Sequence, residues 1–166
     1  SLQSLLENVT GEDLEQAAKM LEAAETVFLL GQLRSAPVVG LLHYVLTMLG
    51  KRTILLDDSG GLATHRAKLM TESDLLFCVA FRFYAREVVN IAEDAHRSGV
   101  PVLAGSDTTL SPLAKNADLL FAIPEHDYTC SRSLAAPMCL AQAIAMALAA
   151  RAQSSSAPRI PIVTDR

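Results

Sequence analysis

Five short apolar runs, each followed by a stretch of different periodicity, restrict this chain more than any other feature. They are "TVFLLG", "RTILLDD", "DLLFCVAF", "VPVLAGS" and "DLLFAIP". Each is too short for a helix and apolar on both faces, the mark of a strand buried inside a parallel sheet. The segments between them read as helices. Alternation of this kind predicts an α/β fold: a three-layer αβα sandwich with a five-stranded parallel sheet, doubly wound in the flavodoxin-like manner. Ligands of such folds bind at the carboxyl edge of the strands.

The helical segments carry their own punctuation. "GEDLEQAAKMLEAA" has acids in its first turn and a stripe of Leu14, Ala17, Ala18 and Leu21. "SAPVVGLLHYVLTMLG" has Ser35 as a candidate cap, Pro37 in its first turn and Gly50 at its end. Its predicted core stripe is Val38, Leu41, Leu42, Val45, Leu46 and Leu49. Its other side, Val39, Gly40, His43, Tyr44, Thr47 and Met48, bears no full charge and suggests contact with a second subunit. "GGLATHRAKLM" and "SPLAKNA" are shorter helical pieces. "AREVVNIAEDAHRSG" is amphipathic and stopped by Gly99, and "SRSLAAPMCLAQAIAMALAAR" is the last long helix.

A chain of 166 residues, 51% hydrophobic and 19% charged, supports one globular core. Residues 1–152 are expected to form a single domain and residues 153–166 a loose tail. The net charge is −4 and the 14 basic residues are scattered, so no nucleic-acid-binding stripe is visible. Cys78, Cys130 and Cys139 have no metal-type spacing and read as reduced thiols of a cytoplasmic protein, Cys78 and Cys139 as buried apolar groups. Residues 133–150 lack charge, but alanine dominates them, and a buried helix is expected rather than a membrane span. His43, His65, His96 and His126 form no ligand pair, so no metal and no cofactor is expected.

Chemistry therefore belongs in the edge loops, at residues 32–35, 57–61, 82–85 and 106–111. Gly31, Gln32, Arg34 and Ser35 follow the first strand. Arg82, Phe83, Tyr84, Ala85 and Glu87 follow the third, and Ser106, Asp107 and Thr108 the fourth. Arg132 and Ser133 open the last helix, a position suited to anions. Several of these have plainer readings: capping for Ser35 and Ser133, dipole compensation for Glu87, turn chemistry for residues 106–109.

Three stretches, "VFLLGQLRS", "LLFCVAFRFYAREVVNIAEDAHRSGVPVLAGSDTTLSPLAKNADLLFAIPE" and "RSLAAPMCLAQAIAMALA", resemble a SIS (sugar isomerase) domain. The likeness is strongest to the effector-binding domain of RpiR/MurR-type transcriptional regulators. It implies a phosphosugar site, a homodimer or tetramer, and DNA contact only through an amino-terminal helix-turn-helix domain that these residues do not include. Residues 1–24 look like the connector and first helix.

The resembled site uses a Gly-x-Gly-x-Ser turn after the first strand and a Ser-x-Ser-Gly-x-Thr loop after the third. Here Gly31 and Ser35 remain, but the second glycine is Leu33. In the other loop Ala80, Arg82, Phe83 and Ala85 stand at the matching positions, so its hydroxyls and glycine are gone. Two guanidinium groups, Arg34 and Arg82, have appeared instead. Arginine forks grip carboxylate or phosphate. The expected ligand is a sugar-derived anion, a sugar acid or its phosphate, sensed without chemistry. The alternatives are solvated surface arginines in a decayed site, an aldose–ketose isomerase with Glu87 and His65 as acid and base, and a dimerisation module without ligand.

Overall fold

The computed structural model describes residues 2–57, 59–125 and 132–154. Of the expected loose tail, residues 153–166, the first two end the last helix; the rest of it, Cys130 and His126 lie outside the described residues. A short helix α1 (Leu2–Asn8) leads to α2 (Gly11–Ala23). Thr10 caps α2 through a full capping box: its hydroxyl accepts from the Asp13 amide, and the Asp13 carboxylate accepts from the Thr10 amide.

Five strands follow: β1 (Val27–Leu30), β2 (Thr53–Leu55), β3 (Leu75–Val79), β4 (Val102–Ser106) and β5 (Leu119–Ala122). All pairings are parallel, and the order is β2-β1-β3-β4-β5. Between them run α3 (Ala36–Met48), α4 (Ala63–Ala67) and α5 (Arg86–Arg97), and α6 (Ala135–Ser154) closes the described chain. The sandwich expected from the strand–helix alternation is the one observed.

Strand side chains alternate between two cores, as the pleat requires. Val27, Leu29, Leu75, Phe77, Val79 and Leu103 pack against α2, α3 and α6. Phe28, Leu30, Leu76, Cys78, Val102 and Ala104 pack against α4 and α5. The helix after β1 therefore goes to one face and the helix after β3 to the other. Because β1 and β3 are neighbours, their carboxyl ends part at a topological switch point, which opens a crevice there.

The helix readings need four corrections. In α3 the buried positions are Val38, Val39, Leu42 and Leu46, while Leu41, Val45 and Leu49 are only partly buried. Val39 is therefore core, drawn inward by the bare Gly31 beneath it. His43 Nδ1 and Thr47 Oγ1 both meet Thr53 Oγ1, at 2.7 and 3.0 Å, so they tie α3 to β2, although Thr47 stays exposed. Only Tyr44 and Met48 of that set remain well exposed large apolar groups. Ser35 is buried and makes no side-chain capping bond; a 3-10 turn over Leu33–Ser35 delivers the chain into α3 instead.

The last helix begins at Ala135, with Ser133 Oγ accepting from its amide at 3.1 Å. Its length and apolar character would suffice to cross a bilayer, yet Ala136, Pro137, Leu140, Ala141, Ile144 and Leu148 are buried in the α2–α3 core. Its other side exposes Met146 and, contrary to expectation, Cys139. Arg151 anchors its end to α2 through Glu15 and Glu22. Cys78 is fully buried, and loss of solvent pushes its thiol up to about 12, which leaves it an inert core group.

Candidate functional site

Every strand sends residues to the same edge, and two polar clusters form there. The first lies on the β2 side of the crevice. Glu87, in the first turn of α5, accepts from Gln32 Nε2 at 2.7 Å and from Thr64 Oγ1 at 2.9 Å. The Gln32 and Thr64 bonds hold the Glu87 carboxyl below the usual carboxylate range, so it stays ionised and offers acceptor lone pairs. Among the described residues no hydrogen bond joins it to His65, which is exposed at the end of α4. Thr64, absent from the sequence-based candidates, is its actual neighbour.

The second cluster lies toward β5. Arg34, in the 3-10 turn after β1, donates Nη1 to Glu125 Oε1 at 2.6 Å, with Nη2 also on that oxygen. Arg132 approaches the other carboxylate oxygen at 3.5 Å. The Arg34 guanidinium lies 5.1 Å from the centre of the buried Phe81 ring, which orients it. Burial pushes the Glu125 carboxyl up; Arg34 and then Arg132 oppose this, and the Asp107 charge adds to it. Glu125 was missed by the sequence reading, which took no residue from the loop directly after β5.

Between the clusters, Tyr84 donates its hydroxyl to Asp107. Burial and this bond both push the Tyr84 phenol up, so it remains a donor at neutral pH. Ser106 is wholly buried at the end of β4, and its hydroxyl goes to the Ala80 carbonyl at 2.7 Å, so it braces the β3 end. Thr108 accepts from the Leu110 amide in a local turn. Ala85 is the N-cap residue of α5 and has no side chain to cap it.

Arg82 and Phe83 are exposed at the rim, the Arg82 guanidinium 5.5 Å and the Arg132 guanidinium 5.9 Å from the Phe83 ring centre. Arg34 converges with Arg132, and Arg82 stands over an aromatic outside them. A small apolar cavity lined by Val38, Phe77, Phe81, Ile123 and Leu140 lies under this edge. It offers an anion nothing, so the polar edge is the candidate site. Among the described residues no group of three or more His, Cys, Asp or Glu could hold a metal.

Both loops retain an unusual backbone. Leu33 (φ 52°) and Phe83 (φ 70°) are the only non-glycine residues with positive φ among those described. They occupy the positions where the resembled motifs carry glycine, and each is 79% exposed. Left-handed backbone costs a bulky residue about 1–2 kcal/mol. Glycine would remove that strain at an unfolded-chain entropy cost of about 0.5–1 kcal/mol. Leu33→Gly and Phe83→Gly are each expected to stabilise the fold by about 0.5–1 kcal/mol. A urea midpoint unchanged or lowered in both variants would show that the loops are not strained.

A family model for the SIS domain matches residues 20–151. No curated protein matches the chain. Among solved structures, the sugar isomerase domain of an RpiR transcription factor from Sphaerobacter thermophilus is 27% identical, with a TM-score of 0.85, covering 90% of this chain and 84% of that one. NanR of Vibrio vulnificus, solved with ManNAc-6P, is 22% identical with a TM-score of 0.80, covering 93% of this chain and 60% of that one. MJ1247 from Methanococcus jannaschii, for which a 3-hexulose-6-phosphate isomerase function has been inferred, is 15% identical with a TM-score of 0.66, covering 90% and 81%. Likenesses as distant as the last two speak for the fold alone. With the family model spanning most of its length and the five-stranded parallel sheet in place, the chain belongs to the SIS domain family.

Proposed function

We propose that this domain is a sensor that binds an anionic sugar derivative in the crevice between the β1 and β3 loops, as the effector-binding and oligomer-forming part of a cytoplasmic regulator of carbohydrate catabolism. The observation that carries it is the pair of clusters at one sheet edge. Arg34 and Arg132 supply charge-assisted donors for an anion, while Glu87, Gln32 and Tyr84 supply acceptors and donors for hydroxyls. The likeness to an RpiR sugar isomerase domain and to NanR in complex with ManNAc-6P supports the ligand class. Exposed Tyr44 and Met48 on α3 and Met146 on α6 support self-association through those helices.

The isomerase reading has one observation in its favour, an ionised carboxylate facing the crevice. Among the described residues the hydrogen bonds of Glu87 go to Gln32 and Thr64, neither of which shuttles protons at neutral pH, which favours the sensor.

A thermal-shift panel of aldonates, keto-aldonates and their phosphates, with sugar phosphates and sulfates, tests the proposal. At a hundredfold excess over Kd a true ligand adds about 2.7 kcal/mol, a rise in Tm of roughly 5–10 °C for a domain this size. Chromatography of the hit after prolonged incubation should show it unchanged. Conversion to an isomer would establish the enzyme instead, and a flat panel would leave only a self-association module.

A further inference from the structure

Glu125 sets the charge of ligand the site accepts. We propose that this half-buried carboxylate is a specificity determinant that tunes the crevice to singly charged anions, carboxylates above all, over dianionic phosphate esters. The inference rests on the sensor reading and sharpens its ligand class. Glu125 has only 13% of its side chain exposed, and both its oxygens are engaged, one by the Arg34 fork and the other by Arg132. The site thus already holds, in its own chain, the carboxylate that two guanidinium groups would otherwise seek.

The charge count follows. Among the described residues of this edge, Arg34, Arg82 and Arg132 give three positive charges and Glu125, Asp107 and the ionised Glu87 give three negative ones, so the protein's own acids already offset the arginines. A singly charged ligand can still take donors from Arg34 and Arg132 while adding the least negative charge to that balance. A phosphate dianion brings a second charge against the largely shielded Glu125 carboxylate and is repelled more strongly. The lost hydroxyls of the β3 loop agree with this, because Ala80 and Ala85 offer a phosphate no side-chain donors in exchange.

Matched esters isolate charge from shape. Glucose 6-sulfate and glucose 6-phosphate differ by one charge at pH 8, and gluconate carries the carboxylate itself. By calorimetry the parent domain is expected to bind gluconate and the sulfate more tightly than the phosphate. Glu125→Gln should move the sulfate-to-phosphate preference toward phosphate by about tenfold or more, since the Coulomb energy scales with ligand charge. Arg132→Gln should move it the opposite way, which a merely structural role for either residue would not do; circular dichroism confirms that both variants are folded. A preference that stays put in both variants, or a parent domain that favours the phosphate, overturns the inference and leaves the sensor reading intact. If these three probes fail on every form while another sugar anion raises Tm, the inference again falls alone. If nothing in the panel binds, both fall.

Discussion

Arg34→Ala is expected to weaken binding of the sugar anion by about 10- to 100-fold, the largest loss at any single site position. Hydrogen bonds to a charged partner contribute about 1.5–3 kcal/mol each, and a fork gives two with fixed geometry. Arg34 is the group best prepared for the task. It is held from below by the Phe81 ring and from the side by Glu125, so little entropy remains to be lost when a ligand arrives. Its removal also leaves the half-buried Glu125 carboxylate to Arg132 at 3.5 Å, poorly compensated. Arg34→Lys separates the two contributions. It keeps the charge but not the fork, so its affinity should fall between the parent and the alanine variant. Calorimetry on the thermal-shift hit checks this; equal affinities for all three proteins would mean that the guanidinium serves the fold and not the ligand.

Much of the fold could be read from the chain because it depends on local pattern. Five apolar runs and the helices between them were enough to fix the sheet class, and the glycines at 50 and 99 stop their helices with φ of 80° as C-terminal glycines do. Helix faces were less legible. The stripe of α3 was misplaced toward Leu41 and Val45 because Val39 is buried by its contact with Gly31, a tertiary effect that periodicity does not encode.

The site was legible in its loops but not in its pairings. Arg34, Gln32 and Glu87 follow strand ends in the sequence, and they lie at one edge of the sheet. The partner of Arg34 is 91 residues away, and no spacing rule joins such residues. One signal was available: Glu125 follows Pro124 directly at the end of a predicted strand, and a loop arginine that becomes half-buried gains from a nearby carboxylate. The left-handed Leu33 and Phe83 were hidden for a related reason. Sequence reading assigns that backbone to glycine, and here the surrounding structure imposes it on two large side chains.

Gly31→Ala tests how the loop that carries Arg34 is held, and it is expected to cost about 1–3 kcal/mol. A Cβ at this position would lie 3.0 Å from the Ser35 carbonyl oxygen and 3.0 and 3.1 Å from the two Val39 methyls. The methyls can give by rotation or truncation, but the carbonyl belongs to the backbone turn that starts α3. The turn must therefore move outward, and Arg34, which sits within it, must move with it. Stability and affinity should fall together, the second because the fork no longer reaches its place above Phe81. Val39→Ala in the same chain should recover only part of the loss, since it relieves the methyl contacts and leaves the carbonyl contact, and the two substitutions should be clearly non-additive. Urea midpoints of the two single variants and the double variant measure this. An unchanged midpoint for Gly31→Ala would show that the close approach of strand to helix is not what shapes the loop.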